Sequence, residues 1–438
     1  MKSTTLTCIT ELILFAAFVM PVWSPAQQQN QKHIRYTVTD LGTLGGTFST
    51  AQGISEEGWV AGWSLLPGDQ TQHSFLWVEG LTTDLGTLGG PNSGGDQGGH
   101  FRPNSRGQVP GFGQITTLDP RGLGCAFFPP PFICLPFIWE DGVKTTLPKL
   151  GGYLAVATDI NNRGEAIGGA ENTTLDSTCQ PPIFPYNEIK PVIWEEGRIE
   201  ELPTISGDPD GQGFGINDHA QVVGATGNCL NLIHAVLWQN GTVIDLGNLG
   251  GTNPGLDVGF GINNHGQVVG RSDLPGDTTF HAFLWQNGVM TDLGTLPGHF
   301  SSEGQSINDK AQMVGQSCTV NFSSCSAILL EHGGMTDLNS LIPANSPLFL
   351  LEGLDINSRG QIVGFAFQQS AGEVHAFLAN PCDESSNDKG CEDLAEDAAG
   401  PQGGASERPQ IVLPENVRNL LQQQTHRYRN LRRAASSF

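Results

Sequence analysis

Charged residues are scarce in this 438-residue chain, where they make up 15% of the sequence against about 25% in a typical soluble domain. Basic residues are the scarcer kind, since 21 Lys and Arg stand against 44 Asp and Glu and the formal net charge is −23. A field of this sign repels phosphate backbones, which argues against nucleic acid as a partner. With few charges and few helix-favouring residues, the composition also excludes a coiled coil, a helix bundle and a collagen.

Long apolar runs are missing apart from one near the start of the chain. That run, Leu12–Met20, follows Lys2 and precedes the small residues Ser24–Ala26. The pattern predicts a cleaved signal peptide over residues 1–26, and hence a secreted, extracellular protein. A membrane anchor is the alternative, but about twelve apolar residues fall short of the roughly 20 that a spanning helix needs. We therefore expect no transmembrane segment in the mature chain.

Turn-forming residues are abundant instead. The 58 Gly and 27 Pro amount to about 19% of the chain, above a typical sum of roughly 12% but below the level of low-complexity disorder. Hydrophobic residues make up 38%, which is enough for a sizeable core. Many turns combined with an ordinary apolar content indicate an all-β protein.

One pattern recurs seven times between residues 36 and 380. Each unit combines a turn of the Ile-Asn-Asn-His-Gly type, a Val-Val-Gly strand, a His-Ala-Phe-Leu-Trp strand and an Asp-Leu-Gly strand. The turn falls at Ser55, Asn104, Asn161, Asn217, Asn263, Asn308 and Asn357. Successive turns are separated by 45 to 57 residues. A period in this range is typical of propellers and other repeat architectures.

Each unit divides into four short strands joined by tight turns. Val-Val-Gly and Ala-Phe-Leu-Trp are β-branched or aromatic runs, and Asn287-Gly288 is a strong hairpin dipeptide. Four strands per unit, repeated seven times, predict a seven-bladed β-propeller. The strand that begins at Tyr36 and the last strand at His375–Leu378 each lack a partner, so we expect them to pair and close the ring. An open stack of β units is the alternative.

These repeated segments resemble the extracellular HAF-repeat proteins of bacteria. The His-Ala-Phe motif is intact at His281 and His375 and altered at His73 and His234. The resemblance covers about 345 residues and implies an exported repeat protein. It brings no catalytic residues to transfer.

The recurring polar residues favour a structural interpretation. A His that opens a strand is expected to bond a neighbouring loop carbonyl, and the Asp of Asp-Leu-Gly to accept N–H groups of its turn. The calcium-like fragment at Asp208 and Asp210 lacks the further carboxylates of a full loop. No nucleophile elbow, zinc helix or phosphate-binding loop is present, so we assign no catalytic, metal-binding or cofactor-binding residues.

Binding is instead expected where the repeat loses its symmetry. Three insertions do this, at 89–101, 114–136 and 171–190. They point to a binding or interaction module whose ligand is a glycan or a protein, held by these loops or at the mouth of the channel. A glycan hydrolase or lyase with carboxylates over the channel is the alternative, and an envelope protein without a specific ligand is a third possibility.

Once the signal peptide is removed, eight cysteines remain, an even number that suits an oxidising compartment. Six fall in the loop type between the Val-Gly and Phe-Leu-Trp strands. The repeat register predicts the pairs Cys125–Cys134, Cys179–Cys229 and Cys318–Cys325, with Cys382–Cys391 closing a loop after the last unit. Zinc is the rival explanation, but the spacings form no Cys-x-x-Cys pairs.

The composition changes after the last repeat. Residues 381–412 form a linker that is acidic at first, with a net charge of −6 over 383–397, and rich in small residues later. Residues 413–438 contain five Arg and apolar residues at helical spacing, which predicts a basic amphipathic helix. This tail is expected to bind either its own propeller or a partner, with membrane attachment less favoured.

Overall fold

In the computed structural model, the described residues form twenty-seven strands in seven small antiparallel sheets. The structure describes residues 34–94, 99–121, 131–179, 186–229, 231–252, 257–382, 391, 411–419 and 421. Residues 35–438 belong to one unit, and of the unit before it only Ile34 is described. The predicted signal peptide lies outside the described residues.

The seven sheets are the blades of a β-propeller, as the repeat predicts. Blade 1 comprises β2 (Ser49–Ile54), β3 (Val60–Leu65), β4 (Gln72–Val78) and β5 (Leu81–Gly86). Blade 2 comprises β6 (Val109–Leu118), β7 (Phe132–Glu140) and β8 (Val143–Thr146). Blade 3 comprises β9 (Ala155–Ile160), β10 (Ala166–Leu175), β11 (Asn187–Glu195) and β12 (Arg198–Glu201).

The remaining blades follow the same order from the innermost strand outward. Blade 4 comprises β13 (Asp210–Ile216), β14 (Val222–Asn228), β15 (Asn231–Gln239) and β16 (Thr242–Asp245). Blade 5 comprises β17 (Val258–Ile262), β18 (Val268–Asp273), β19 (Phe280–Gln286) and β20 (Val289–Asp292). Blade 6 comprises β21 (Ser301–Ile307), β22 (Met313–Cys318), β23 (Cys325–Glu331) and β24 (Gly334–Asp337). Short 3₁₀ turns lie at Val320–Phe322 and Leu338–Leu341.

Blade 7 joins the two ends of the repeat region and confirms the predicted closure. It comprises β25 (Leu348–Ile356), β26 (Ile362–Gln368), β27 (Glu373–Pro381) and, as its outermost strand, β1 (Tyr36–Gly42). β1 pairs with β27 from Tyr36 opposite Pro381 to Gly42 opposite Ala376. This pairing removes the strand edge that β27 would otherwise expose.

The core lies between neighbouring blades, because each sheet buries both faces. Leu237 of blade 4, for example, packs with Ile262 and Phe283 of blade 5. Gly270 of the Val-Val-Gly strand is required for close packing of strands within its sheet, since a Cβ atom there would lie 2.0 Å from the carbonyl oxygen of Val258. The Asn-Gly hairpins also form as predicted, with positive φ angles of +52° at Asn287 and +83° at Gly288.

Blade 2 departs from the predicted pattern of four strands. Among the described residues its sheet has three strands, and residues 99–103 precede the blade's Asn turn without joining the sheet as an innermost strand. Phe101 in this segment is buried and has a φ of +48°, a conformation that is unusual for a bulky residue. The irregular segment is the main break in the symmetry of the ring.

Part of the predicted tail helix is present. Residues 415–419 are helical, and the N–H of Arg418 donates to the carbonyl of Pro414 at 3.0 Å. Residues 413 and 414 are described but not helical, and of the predicted helix beyond residue 419 only residue 421 is described. No helix in the described part of the chain is both long and apolar enough to cross a membrane.

Candidate functional site

The turn after each innermost strand builds a ring of asparagine side chains around the channel. Asn263 shows the pattern: its Oδ1 atom accepts the N–H groups of His265 and Gln267, each at 3.0 Å. Its Nδ2 atom donates to the Oε1 atom of Gln267 at 2.7 Å and to the carbonyl of Asn308 in the next blade at 3.0 Å. One side chain therefore closes its own hairpin and links two blades.

Six turns form this blade-to-blade bond through Asn104, Asn161, Asn217, Asn263, Asn308 and Asn357. In blade 1 the position is Ser55, whose carbonyl accepts the last bond of the series, from Asn357, at 3.0 Å. The asparagines of the turns that mark the repeat in the sequence therefore connect neighbouring blades of the ring.

The next residue of each turn forms a second, more exposed ring. Asn162 donates to Asp218 at 3.0 Å, and Asn264 donates to Asp309 at 3.0 Å. Glu56 accepts the N–H of Ser358 at 3.2 Å and joins blade 7 to blade 1. Three carboxylates, those of Glu56, Asp218 and Asp309, consequently lie around the opening of the channel.

A depression that is open to solvent lies at the centre of these rings. Each blade contributes three consecutive residues to it, and in blade 2 these are Arg102, Pro103 and Asn104. None of the lining residues is aromatic. We call this depression the mouth of the channel.

Arg102 is the one cation among the described residues that line the mouth. Its guanidinium bonds the carboxylate of Asp355 in blade 7 through Nε at 3.2 Å and Nη2 at 3.3 Å. Asp355 also accepts the hydroxyl of Ser306 at 2.6 Å and the N–H of Ile54 at 2.9 Å. At the position of Arg102, blades 4 and 5 carry glycine, so this residue breaks the symmetry of the site.

His100 and Asp159 lie beside this pair and are fully buried. The Nε2 atom of His100 lies 3.0 Å from the carbonyl oxygen of Gln305 and donates a hydrogen bond to it. The Nδ1 atom of the ring lies 3.9 Å from Asp159 Oδ2, which accepts the N–H of Ile216 at 3.2 Å. Among the described residues, neither His100 Nδ1 nor Asp159 Oδ1 has a hydrogen-bond partner. The imidazole and the carboxyl group therefore lie close together in a buried space, each with one atom that has no described partner.

The two carboxyl groups of this cluster titrate differently. Burial raises the pKa of Asp159 by more than the charges of Arg102 and His100 lower it. Burial also acts to raise the pKa of Asp355, but Arg102 and the hydrogen bond from Ser306 outweigh it and hold that pKa below its usual value. Such a split is the arrangement that acid–base catalysts use. Here, however, the side chains are 0% and 1% exposed, so only Arg102 meets the solvent.

The histidines singled out in the sequence lie far from the mouth, on separate blades. His73, His281 and His375 each bond a carboxylate of the outermost strand, with Nδ1–O distances of 2.8 to 2.9 Å to Asp84, Asp292 and Asp40. The prediction that these histidines bond a loop carbonyl was wrong, because each of them bonds a carboxylate instead. The same aspartates accept the N–H of the glycine in their turn, as between Asp292 and Gly294 at 2.8 Å. Their contacts stabilise single blades.

The calcium-like fragment is also engaged in structural contacts. Asp208 accepts from Thr226 at 2.6 Å and bonds His234 at 2.7 Å, while Asp210 accepts the N–H of Ile189 at 2.8 Å. These bonds give both carboxylates partners within the fold.

The disulfides follow the repeat register. Cys179–Cys229, Cys318–Cys325 and Cys382–Cys391 are present. Cys134 is also disulfide-bonded, but its expected partner Cys125 lies outside the described residues. Asp176 lies close to Cys179 and Cys229 in a group of metal-ligand type, yet the disulfide uses both sulfur atoms.

The insertions contribute unequally to the site. The first, at 89–101, supplies His100 and leads directly into Arg102. The second insertion lengthens β6 and β7, and its central residues 122–130 lie outside the described residues. The third lengthens β10 and β11, and its central residues 180–185 also lie outside them. Sequence reasoning overlooked Arg102, Asp159 and Asp355, although Phe-Arg-Pro-Asn and the two Asp-Ile-Asn segments stand out against Phe-Gly-Ile-Asn in blades 4 and 5.

Comparisons with known proteins identify no family for the chain. No family model matches it, and no curated protein matches it. Similar solved structures include a gluconolactonase from Xanthomonas campestris, at 8% identity over 79% of this chain and 90% of that chain, with a TM-score of 0.37. A mutant of the Aleuria aurantia lectin in complex with a fucosylated GlcNAc is 9% identical over 67% and 96%, with a TM-score of 0.34. The PQQ-bound aldose sugar dehydrogenase of Streptomyces coelicolor is 12% identical over 79% and 99%, with a TM-score of 0.30. Similarity at this level carries no argument about the function of this chain.

Proposed function

We propose that the protein is an exported binding module whose ligand, a glycan or a protein segment, binds at the mouth of the channel. The observation that carries this proposal is the mouth itself: a concave site that all seven blades build, lined by polar groups around the ion pair of Arg102 and Asp355. The disulfides are consistent with an extracellular location.

The hydrogen-bond inventory of the mouth supports a ligand that donates hydrogen bonds. The asparagines of the inner ring donate both amide hydrogens within the ring, as Asn263 does to Gln267 and Asn308. The oxygens of Glu56, Asp218 and Asp309 keep unused acceptor capacity, because a carboxylate accepts up to about four bonds. Sugar hydroxyls and the N–H or ammonium groups of a polypeptide are donors of this kind.

The charge pattern around the mouth adds a second constraint on the ligand. The third turn residue is basic or a histidine in six blades, namely Arg106, Arg163, His219, His265, Lys310 and Arg359, and all six are exposed. Four of these side chains, Arg106, Arg163, Lys310 and Arg359, carry a positive charge at neutral pH, so the ring of turns holds exposed cations as well as the carboxylates. A ligand that presents donors at its tip and acceptors around it matches this arrangement, as a branched glycan or a mixed-charge protein loop does.

Screening the mature chain against a glycan array, with variants of the mouth, tests this proposal. Asp218→Asn and Asp309→Asn preserve side-chain shape and remove the charge, so we expect the combined variant to weaken ligand binding at least ten-fold. Glu200→Gln on the exposed outermost strand of blade 3 is the matched control and leaves binding unchanged. A folded double variant that binds every ligand as well as the parent chain contradicts the mouth as the site.

A glycan hydrolase or lyase is the second candidate, and the opposite pKa shifts of Asp159 and Asp355 are the observation that favours it. Turnover of any glycan found in the screen, followed by product analysis, separates the two functions. Catalysis by this pair requires that Asp159→Asn abolish turnover and spare binding. Binding without turnover assigns the pair to holding Arg102 in place.

A further inference from the structure

The described part of the tail lies against its own propeller. Leu413, Val417 and Leu421 are 1%, 2% and 1% exposed and belong to one apolar cluster with residues of blades 6, 7 and 1. We call the propeller side of this cluster the tail basin. It consists of Phe48, Trp63, Cys318, Phe322, Cys325, Phe349, Leu351, Phe365, Phe367 and Val374.

Val417 and Leu421 are four positions apart and helical, so they lie on the same side of a helix, and Leu413 precedes that helix in an irregular segment. The contact therefore combines one face of a helix with the apolar residue that leads into it. The N–H of Leu413 adds a hydrogen bond to the carbonyl of Ser323 at 3.3 Å. These contacts depend on the helix and the basin alone, and a helix from another copy of the chain would make the same ones.

The contact is imperfect in its polar groups. Trp63 Nε1 in the basin, Ser324 Oγ beside it and Arg418 Nε in the tail are buried and have no hydrogen-bond partner among the described residues. Buried polar groups without partners oppose burial, and this weakens the hold of the tail on the basin. A contact of this kind opens more readily than the sheets it covers.

The connection to the propeller permits exchange between copies. The last strand ends at Pro381, and Cys382 is tied to Cys391, so residues 392–410 span the distance to the docked segment. Nineteen residues reach at most about 60–70 Å when extended. That reach allows the tail to enter the basin of a neighbouring molecule, and exchange of an identical element is a low-cost route to dimers.

We propose that the tail basin is an interaction surface for the tail of a second copy of this chain, so that reciprocal exchange of tails links propellers. In dilute solution the tail fills its own basin, because the connection keeps its effective concentration near the millimolar range. Exchange becomes favourable where the chain is crowded to comparable concentrations.

Cysteine trapping in the full chain tests this proposal. One variant carries Ser323→Cys next to the basin, and the other carries Val412→Cys, a tail position that is 79% exposed. Mixed at high concentration under mild oxidation, the two variants should form a covalent heterodimer joined at positions 323 and 412, as established by peptide mapping. A single chain with both substitutions, which should close within itself at low concentration, is the control for docking in cis.

Substitutions on the apolar face of the tail test whether the heterodimer depends on docking in the basin. Adding Val417→Asp to the Val412→Cys chain should reduce the heterodimer yield at least ten-fold, and the milder Val417→Thr should reduce it less. Far-ultraviolet circular dichroism establishes that each variant is folded, and a misfolded Val417→Asp chain leaves Val417→Thr as the test. A mixture that stays monomeric while the doubly substituted chain closes overturns the proposal, and so does a heterodimer yield that neither Val417 variant lowers.

Discussion

Replacing Tyr36 with alanine removes the main anchor of the strand that closes the ring. Tyr36 opens β1, yet its side chain is 0% exposed and packs with Leu329 and Leu338 of blade 6 and its following turn, and with Phe377 of blade 7. Its backbone lies opposite Pro381 at the far end of the repeat region. The side chain therefore holds together parts of the chain more than 300 residues apart.

The size of the effect follows from this burial. Truncating a fully buried aromatic side chain costs about 3–5 kcal/mol, since transfer and cavity terms add. Domains of ordinary stability unfold with about 5–15 kcal/mol, so the loss is a large fraction of the total. Thr39→Ala is the matched control, because Thr39 lies on the same strand and is exposed, and a change within about 0.5 kcal/mol is expected there.

Urea unfolding of the mature chain, followed by tryptophan fluorescence and by circular dichroism, measures both variants. We expect a lower midpoint for Tyr36→Ala by both probes, and a still lower one when residues 36–41 are deleted, because β27 then has an exposed edge. A midpoint that stays within the range of Thr39→Ala would refute the reasoning. So would local loss of β1 protection in hydrogen exchange without any change in global unfolding.

Two further predictions concern charged pairs. The hydrogen bond that His375 donates to Asp40 raises the pKa of His375 despite burial, and the bond to Glu373 adds to this effect. The pair therefore stabilises the fold fully below the unfolded pKa of about 6.5, and it stabilises less as the pH rises through the folded value. Although burial opposes it, the bond to His375 lowers the pKa of Asp40. The stability that the ionised Asp40 contributes is therefore lost as the pH falls below about 4 through the folded value. His375→Gln should therefore cost ~0.5–1 kcal/mol near pH 5 and less at pH 9 in thermal unfolding, and an equal cost at both pH values would contradict the assignment. For the buried Arg102–Asp355 pair, Arg102→Gln should cost about 3–5 kcal/mol in urea unfolding by leaving Asp355 uncompensated, with partial recovery when Asp355→Asn is added. No recovery in the double variant would show that the two groups are not coupled.

Much of the fold follows from local pattern in the sequence. The Asn turns, the β-branched strands and the unpaired ends of the repeat predict seven blades and a closing strand, because a strand that buries both faces needs neighbours on each side. The position of the cysteines in the repeat also predicts the Cys179–Cys229 disulfide. Equivalent loops of neighbouring blades emerge on the same side, and this brings the two cysteines within bonding distance.

The site is less accessible to sequence reasoning. His73, His281 and His375 attract attention because they recur, yet recurrence places them at equivalent positions on different blades, and a ring keeps such positions apart. Arg102 and Asp355 attract little, because the arginine occurs in one blade, the aspartate in only two, and the pair is 253 residues apart in the chain. Only closure of the ring makes blade 7 a near neighbour of blades 1 and 2 across the channel.

The sequence by itself determines the blade, the number of blades and the way the ring closes, because these depend on short-range turn chemistry repeated at a fixed period. The tertiary structure decides which polar residues meet. It turns the Asn of each hairpin into a bond between blades, and it brings Arg102, Asp159 and Asp355 together at the axis. It also seats Leu413, Val417 and Leu421 on an apolar basin. These contacts join residues that are distant along the chain, and their energies depend on burial and geometry that no local pattern contains.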